Sequence, residues 1–183
     1  TTEDGVRGQG YLLSFHYSPN GIEGALKDLC DFVRAGDYKV YETVRVKADW
    51  DKEAEYFGNT GLNTCAVAAL NIAMWDAWGR SCGLPVWKML GANQTKIPVY
   101  GSGGWISYSD QELLDEVLDY KSRGFTAVKI KVGSGNVQKD LERLRKCREA
   151  LGDSVKIMMD ANQGMDVPTA LKLSEQAKPI GIQ

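Results

Sequence analysis

The stretch Val128-Lys129-Ile130-Lys131-Val132-Gly133 predicts a buried β-strand that carries two lysines on one face. Successive side chains of a strand point to opposite faces, so the apolar residues share one face and Lys129 and Lys131 share the other. Helical segments flank this strand, which is typical of a parallel sheet covered on both faces. Burying two ammonium groups on such a face costs free energy, and we expect a functional reason for it. The alternative is a surface edge strand whose lysines point into water.

A second short strand is predicted at Ile157-Met158-Met159-Asp160-Ala161-Asn162, and it ends in polar residues. Asp160 and Asn162 share a face at its carboxyl end, as the two lysines do in the first strand. In parallel α/β proteins, ligands bind at the carboxyl ends of the strands. The two strands are therefore expected to bring two ammonium groups, a carboxylate and an amide to one rim. The alternative for Asp160 is a simple turn residue, since Asp-x-Asn sequences are common in turns.

The composition is that of an ordinary globular protein, with 183 residues, 43% hydrophobic, 25% charged and a formal net charge of −2. No basic excess points to nucleic acid or to a membrane surface, and no apolar run is long enough to cross a bilayer. The cysteines contain no Cys-x-x-Cys pair, so we expect no zinc site, free thiols that are buried in the helical patterns, and a cytoplasmic protein. The chain starts with Thr1 and has no signal-peptide pattern, and we interpret it as part of a longer polypeptide.

Apolar periodicity predicts one strand and several helices in the first half of the chain. The strand is expected over residues 5–17, which include the single histidine, His16, in a structural role. The segments that follow are a helix over 22–35, an irregular aromatic stretch over 38–57, an Ala-rich helix over 62–78 and a short helix over 86–90.

After residue 97, strands and helices alternate regularly. Strands are predicted over 97–102, 127–132 and 156–161, helices over 110–123, 139–151 and 167–177, and the start of a fourth strand over 180–183. Three such units are typical of a parallel barrel or of an open doubly wound sheet. We disfavour the open sheet, because no strand is followed by a Gly-x-Gly-x-x-Gly turn that opens a helix. A complete barrel needs about 250 residues, so the barrel is incomplete in this chain.

Two motifs resemble the second and third barrel strands of the enolase superfamily, in its mandelate racemase-like subgroup. They are Lys129-Ile130-Lys131-Val132-Gly133 and Asp160-Ala161-Asn162-Gln163, and residues 69–76, 83–91 and 148–152 also fit that family. The resemblance implies an α+β capping domain with its linker over residues 1–95, the first strand apparently missing. It also implies the first part of a (β/α) TIM-type barrel over residues 96–183, with three β-α units and the start of the fourth strand.

The resemblance further implies roles for four side chains. Asp160 is expected to be the first of three carboxylate ligands to one Mg²⁺, with the other two ligands and an opposing base beyond Gln183. Lys131 is the expected acid/base on one face of a small carboxylate substrate, and Lys129 its catalytic neighbour near the substrate carboxylate. Asn162 is expected near the bound substrate. A homo-oligomer that binds neither nucleic acid nor membrane is implied for the complete protein.

Abstraction of a proton α to a carboxylate explains these residue types. A hard, oxygen-ligated Mg²⁺ stabilises the extra negative charge of an enediolate. The side chain of lysine ordinarily has a pKa of about 10.4, so a lysine base needs burial or a nearby positive charge to lower its pKa. A Lys-x-Lys strand places such a charge on the same face.

Our leading hypothesis is an acid-sugar dehydratase, a lyase of the enolase superfamily. Racemase, epimerase or cycloisomerase chemistry, which makes an isomerase, shares the same residues. Two other classes stay open, namely a Schiff-base aldolase that uses Lys129 or Lys131 and a non-catalytic segment that serves binding or assembly. One carboxylate does not hold Mg²⁺, so we expect residues 1–183 by themselves to be catalytically inactive.

Overall fold

The chain divides into two compact units, Thr1–Thr95 and Lys96–Gln183. The structure is a computed structural model that describes residues 1–13, 18–56, 58 and 60–182. Each unit has its own buried apolar cluster.

Helices make up the described elements of the first unit. They are α1 (Pro19–Ala35), α2 (Thr43–Glu53), α3 (Leu62–Cys82) and α4 (Val86–Met89). A core of Leu29, Trp50, Ala54 and Ala66 joins α1, α2 and α3. The predicted helices over 22–35, 62–78 and 86–90 are therefore present, with α1 and α3 longer than expected. No helix among the described residues combines the length and the apolarity that a membrane crossing needs.

The predicted strand over residues 5–17 is wrong for residues 5–13, which form no strand. These residues pack on α3 instead, and a Cβ at Gly8 would lie 1.9 Å from the carbonyl oxygen of Ala73. A strand needs a second strand beside it, and the described residues of this unit contain none. Residues 14–17, with His16, lie outside the described residues.

The aromatic stretch over 38–57 was expected to be irregular, but it contains α2. Thr43, Val46 and Trp50 are buried along one side of this helix, and its other positions are mostly charged. Ion pairs such as Arg45 with Asp49, at 3.6 Å, connect successive turns of the exposed side. The three buried positions follow helical spacing, but the charges between them concealed it.

The second unit contains a parallel sheet of three strands in the order β1-β2-β3. The strands are β1 (Gly101–Gly103), β2 (Ala127–Lys131) and β3 (Lys156–Asp160), and the helices are α5 (Asp110–Ser122), α6 (Val137–Leu151) and α7 (Val167–Ala177). The predicted helix caps are present, with a capping box between Ser109 and Glu112 and with Asp166 accepting from the backbone of Thr169. The alternation of strand and helix therefore follows the prediction closely.

Two strand ends differ from the prediction. β1 was expected over 97–102 but covers Gly101–Gly103, where Gly101 pairs with Val128 and Gly103 pairs with Ile130. At the other end, Ile182 makes a single parallel bridge with Ile157 where a fourth strand was expected. A 3₁₀ turn over Lys178–Ile180 precedes this bridge, and Gln183 lies outside the described residues.

The core of the second unit lies between the sheet and its helices. Val128, Ile130 and Val132 are buried, and the helices contribute Leu113, Leu141, Leu144 and Leu173 to the same cluster. The apolar face of β2 is therefore covered by helices, and its lysine face lies on the opposite side of the sheet.

Free thiols occur at all four cysteines. Cys147 is buried in this core, and burial raises the pKa of its thiol to about 11. The expectation of a buried thiol is wrong for Cys65, which is exposed on α3.

Candidate active site

The four side chains singled out in the sequence lie together at the carboxyl ends of β2 and β3. Lys131 and Asp160 are register partners. Asp160 Oδ2 lies 2.8 Å from Lys131 Nζ and 3.0 Å from Lys129 Nζ. Lys131 Nζ also donates to Asn162 Oδ1. Parallel pairing brings these groups to one rim, because both strands end at the same edge of the sheet.

Side-chain alternation places the lysines as expected. Val128 and Ile130 are fully buried, whereas the side chains of Lys129 and Lys131 are 22% and 11% exposed. β2 is hydrogen-bonded to β1 on one side and to β3 on the other. The alternative of an edge strand with its lysines in water is therefore wrong.

Asp160 combines the two roles between which the sequence left a choice. Its Oδ1 accepts a hydrogen bond of 2.9 Å from the backbone N–H of Asn162, as in a turn. Asn162 has a φ of 45°, in the left-handed region that asparagine tolerates better than most residues. This turn points the Asn162 amide oxygen back at Lys131, so the same carboxylate both forms the turn and pairs with the lysines.

Electrostatics favour the ionised forms of Asp160 and Lys129. Hydrogen bonds from Lys131, Lys129 and the Asn162 backbone hold the pKa of the Asp160 carboxyl well below its usual range. The hydrogen bond to Asp160 raises the pKa of Lys129, against the opposing effect of burial. Asp160 is therefore a carboxylate at neutral pH, which is the form that binds a metal cation.

The donor atoms fit Mg²⁺ in type but not in number. Mg²⁺ prefers oxygen ligands in near-octahedral geometry, and Asp160 offers carboxylate oxygens. Across residues 1–13, 18–56, 58 and 60–182, no three His, Cys, Asp or Glu side chains are grouped closely enough to hold a metal ion. Asp160 therefore offers the type of oxygen donor that Mg²⁺ prefers, and the described residues place no second and third carboxylate beside it.

Two aromatic rings beside the lysines escaped the sequence analysis. Lys131 Nζ lies 5.5 Å from the centre of the Trp105 ring, and Lys129 Nζ lies 5.7 Å from the centre of the Tyr100 ring. These distances are within the range of cation–π attraction. Both rings flank β1, and the parallel pairing of β1 with β2 was the only signal that could have linked them to the lysines.

Backbone contacts hold the loop that follows β1 against β2. Gly104 donates its N–H to Glu116 Oε2 at 2.6 Å, and its carbonyl accepts from the Lys131 N–H at 3.2 Å. Gly104 has a φ of +62°, and an added Cβ would lie 2.9 Å from the Ile130 side chain. Only glycine fits this position, because the conformation and the close approach both exclude a side chain.

The loop that follows β2 is held by a buried carboxylate. Asp140 on α6 is 1% exposed and accepts hydrogen bonds from the backbone of Gly133, at 2.9 Å, and Ser134. Buried charges need such partners to offset the loss of hydration. The carboxyl end of β2 is therefore fixed on both sides of the strand.

An open cleft of about 580 Å³ lies in the first unit, but none of the four candidate side chains lines it. Its walls come from α1, α3 and residues 38–41, together with the first residues of the chain. The cluster of Lys129, Lys131, Asp160 and Asn162 lies in the second unit, and we assign the candidate active site there.

Family models match nearly the whole chain. Residues 1–91 match the mandelate racemase / muconate lactonizing enzyme N-terminal domain, and residues 112–183 match the enolase C-terminal domain-like family. These matches cover both units, including the strands that carry the lysines and Asp160.

Curated relatives catalyse several reactions. The chain is 30% identical to L-talarate/galactarate dehydratase of Salmonella typhimurium, with 99% of this chain and 45% of that protein covered. It is 29% identical to a 3,6-anhydro-α-L-galactonate cycloisomerase of Streptomyces coelicolor, with 98% and 49% covered. It is 34% identical to L-Ala-D/L-Glu epimerase of Bacillus subtilis, with 66% and 33% covered. The chain thus spans about half the length, or less, of these relatives.

Solved structures give the same result for the fold. The crystal structure of L-talarate dehydratase from Polaromonas sp. JS666, complexed with Mg and L-glucarate, has a TM-score of 0.86 and 25% identity. The matched region includes 98% of this chain and 50% of the Polaromonas chain. The predicted architecture, a cap followed by the first part of a (β/α) barrel, is confirmed. With both of its units matched, the chain belongs to the mandelate racemase and muconate lactonizing enzyme family of the enolase superfamily.

Proposed function

We propose that the protein containing this chain is a Mg²⁺-dependent enzyme that abstracts the α-proton of a carboxylate substrate, and that its reaction is the dehydration of an acid sugar. The observation that carries this proposal is the contact of Lys131 and Lys129 with one oxygen of Asp160 at the carboxyl edge of the sheet. General acid–base catalysis needs a proton-transfer group within reach of a bound substrate, and the carboxyl edge is where barrel enzymes bind their substrates.

Each side chain has a role that its position supports. Lys131, the less exposed lysine, takes the α-proton at its Nζ atom. Lys129 stays charged beside it and binds the substrate carboxylate, because its raised pKa keeps it an ammonium at neutral pH. Asn162 holds Lys131 through its amide oxygen and borders the space above the two strands.

Asp160 is the candidate metal ligand of this chain. A bound Mg²⁺ supplies charge stabilisation for the oxygens of the substrate carboxylate as the α-proton leaves. Both lysines contact Oδ2 of Asp160, so they compete with a cation for that oxygen. The matched Polaromonas structure contains Mg, which supports the same cofactor here.

Dehydration is favoured over epimerisation by the extent of the matches, whereas the cycloisomerase relative, with 98% of this chain covered, is matched about as fully as the dehydratase. The dehydratase relative matches 99% of this chain, whereas the epimerase relative matches 66%. In dehydration, the proton on the α-carbon goes to Lys131, and the hydroxyl on the β-carbon takes a proton from solvent and leaves as water while a double bond forms between the two carbons. The resulting enol then takes a solvent proton at the β-carbon and becomes a 2-keto acid.

The test uses the longest natural polypeptide that contains this chain, with Mg²⁺ and a panel of acid sugars in D₂O. Galactarate and L-talarate are the first compounds of the panel, because the Salmonella relative is an L-talarate/galactarate dehydratase. A dehydratase gives a 2-keto product that has lost one water and carries deuterium at the β-carbon. Deuterium at the α-carbon without loss of water would indicate a racemase or epimerase. A product with an opened or closed ring that has lost no water would indicate a cycloisomerase.

A Schiff-base aldolase is separated by a second measurement. Borohydride added with substrate would attach the substrate covalently to Lys129 or Lys131 if either formed an imine. We expect no such adduct by mass spectrometry, and turnover that stops when EDTA removes divalent metal. Turnover that survives EDTA, together with a lysine adduct, would overturn the proposal.

A further inference from the structure

Arg143 on α6 is a buried cation whose hydrogen bonds all go to one loop. Its side chain is 3% exposed. Its Nη1 donates to the Tyr108 carbonyl at 3.1 Å, and its Nη2 donates to the carbonyls of Gly104, at 3.1 Å, and Trp105, at 2.9 Å. These acceptors belong to the loop between β1 and α5. One planar guanidinium therefore holds three carbonyl groups in a fixed relation to each other.

Stability alone is a weak reason for this arrangement. A buried charge must offset the loss of its hydration, and a packed apolar residue of similar volume is often as stable. The Nε–H of Arg143 has no hydrogen-bond partner among the residues that the structure describes. Burying a guanidinium with one unsatisfied donor costs free energy. We interpret the fixed geometry of the loop as the reason for this cost.

Trp105 is the part of this loop that reaches the candidate active site. Its ring centre lies 5.5 Å from Lys131 Nζ, and the residue is 53% exposed, so one part of the ring faces the lysine and much of it stays open. The Trp105 carbonyl is bound by Arg143, and the carbonyl of the preceding Gly104 is bound by both Arg143 and the Lys131 N–H. The backbone that carries the ring is thus attached to α6 at Trp105 and, through the preceding Gly104, to the strand that carries the lysine.

We propose that Trp105 contacts the substrate beside Lys131, where its ring packs on the carbon chain of the acid, and that Arg143 is the positioning residue that holds it there. This proposal rests on the proposed function, since it takes Lys131 as the group next to the reacting carbon. Substrate pockets are commonly lined by aromatic side chains, with a few polar groups that fix the orientation of the ligand.

The first test compares variants of the ring in the longest natural polypeptide that contains this chain. Trp105→Leu is expected to raise KM for the best acid sugar of the panel by about tenfold and to change kcat less, since it removes a binding contact. Trp105→Phe keeps a ring and is expected to retain most of the affinity. The matched control is Trp87→Leu, because Trp87 is also partly exposed and has a lysine, Lys88, at 5.4 Å from its ring.

The second test asks whether Arg143 acts through Trp105. Arg143→Met is expected to raise KM by about tenfold, and the double variant with Trp105→Leu no further, because residues that act as a unit are not additive. Hydrogen exchange of the Trp105–Tyr108 amides is expected to become faster in Arg143→Met, while the amides of β2 stay protected. Arg145→Met is the control, because Arg145 is exposed on the same helix. Arg143→Lys, which keeps the charge but not the planar fork, serves if Arg143→Met does not fold.

The outcomes separate this proposal from the proposed function. If no acid sugar reacts, or if Lys131→Ala reacts at the wild-type rate, the proposed function is wrong and this proposal falls with it. If Lys131 is essential but Trp105→Leu leaves KM and kcat unchanged, only the substrate contact is wrong. Additive effects of the Arg143 and Trp105 substitutions, or unchanged hydrogen exchange in the loop, would show that Arg143 does not position the ring.

Discussion

The two ends of the sheet in the second unit use their positive charges differently. At the amino end of β3, Arg148 donates to the carbonyls of Gly152, Val155, Ile180 and Gly181, at 2.7 to 2.9 Å. At the carboxyl end, Lys129 and Lys131 pair with a carboxylate at the rim of the sheet. Backbone carbonyl groups at such turns have few hydrogen-bond donors other than Arg148. The Asp160 carboxylate, in contrast, can release its two lysines when a ligand binds. The amino end thus uses charge to hold the backbone, and the carboxyl end keeps charge available for binding.

The largest expected effect concerns the chain by itself. Residues 1–183 expressed alone are expected to show no turnover, no Mg²⁺ site of millimolar or tighter affinity and poor solubility, because a single carboxylate does not hold Mg²⁺. Among the residues that the structure describes, β3 also meets only the Ile182 bridge on its outer edge, and an unpaired apolar edge promotes aggregation. Activity assay, calorimetry and size-exclusion chromatography check this. A monomeric product that melts cooperatively and turns over an acid sugar would contradict it.

Removal of the proposed base is the next largest effect. In the longest polypeptide that contains this chain, Lys131→Ala is expected to lower the rate of α-proton exchange on one face by about 10³-fold, within the range of general base catalysis. NMR in D₂O measures that exchange, and circular dichroism checks the fold. The control is Lys156→Ala, because Lys156 is exposed at the amino end of the neighbouring strand. Exchange by Lys131→Ala at the control rate through the same face would exclude Lys131 as the base.

A third prediction concerns the carboxylate. Asp160→Asn is expected to weaken Mg²⁺ binding by about tenfold or more and to lower turnover with it, because a neutral amide replaces a charged oxygen ligand. Isothermal titration with Mg²⁺ measures the affinity, with Asp119→Asn on the exposed side of α5 as the control. Unchanged Mg²⁺ affinity in Asp160→Asn would remove Asp160 from the ligand set.

The smallest effect on activity is expected at the opposite end of the sheet. Arg148→Met is expected to lower the free energy of unfolding by about 3 kcal/mol, since several charge-assisted hydrogen bonds to the backbone are lost together. KM of the folded fraction should stay within about twofold, because the substitution removes no contact with substrate. Urea denaturation compared with Arg145→Met on the same helix measures the difference. A large change in KM with normal stability would show that the two ends of the sheet are not divided in this way.

Local patterns were enough for most of the second unit. The alternation in β2, the helix caps at Ser109 and Asp166, and the polar end of β3 are properties of short stretches, and the structure shows them near their predicted places. α2 was missed because charged residues surround its three buried positions. The strand expected over residues 5–17 is wrong for residues 5–13, because strand formation depends on a partner, which local periodicity does not supply.

By itself, the sequence determined that Lys129 and Lys131 share a face and that Asp160 and Asn162 end the next strand, because side-chain alternation is a local property of the backbone. Only the tertiary structure decided that both lysines contact the same oxygen of Asp160, because that depends on the register between two strands separated by a helix. The same holds for Trp105 and Arg143. A helix beyond β2 holds the loop after β1, and such long-range contacts arise from packing, which no short stretch of sequence contains.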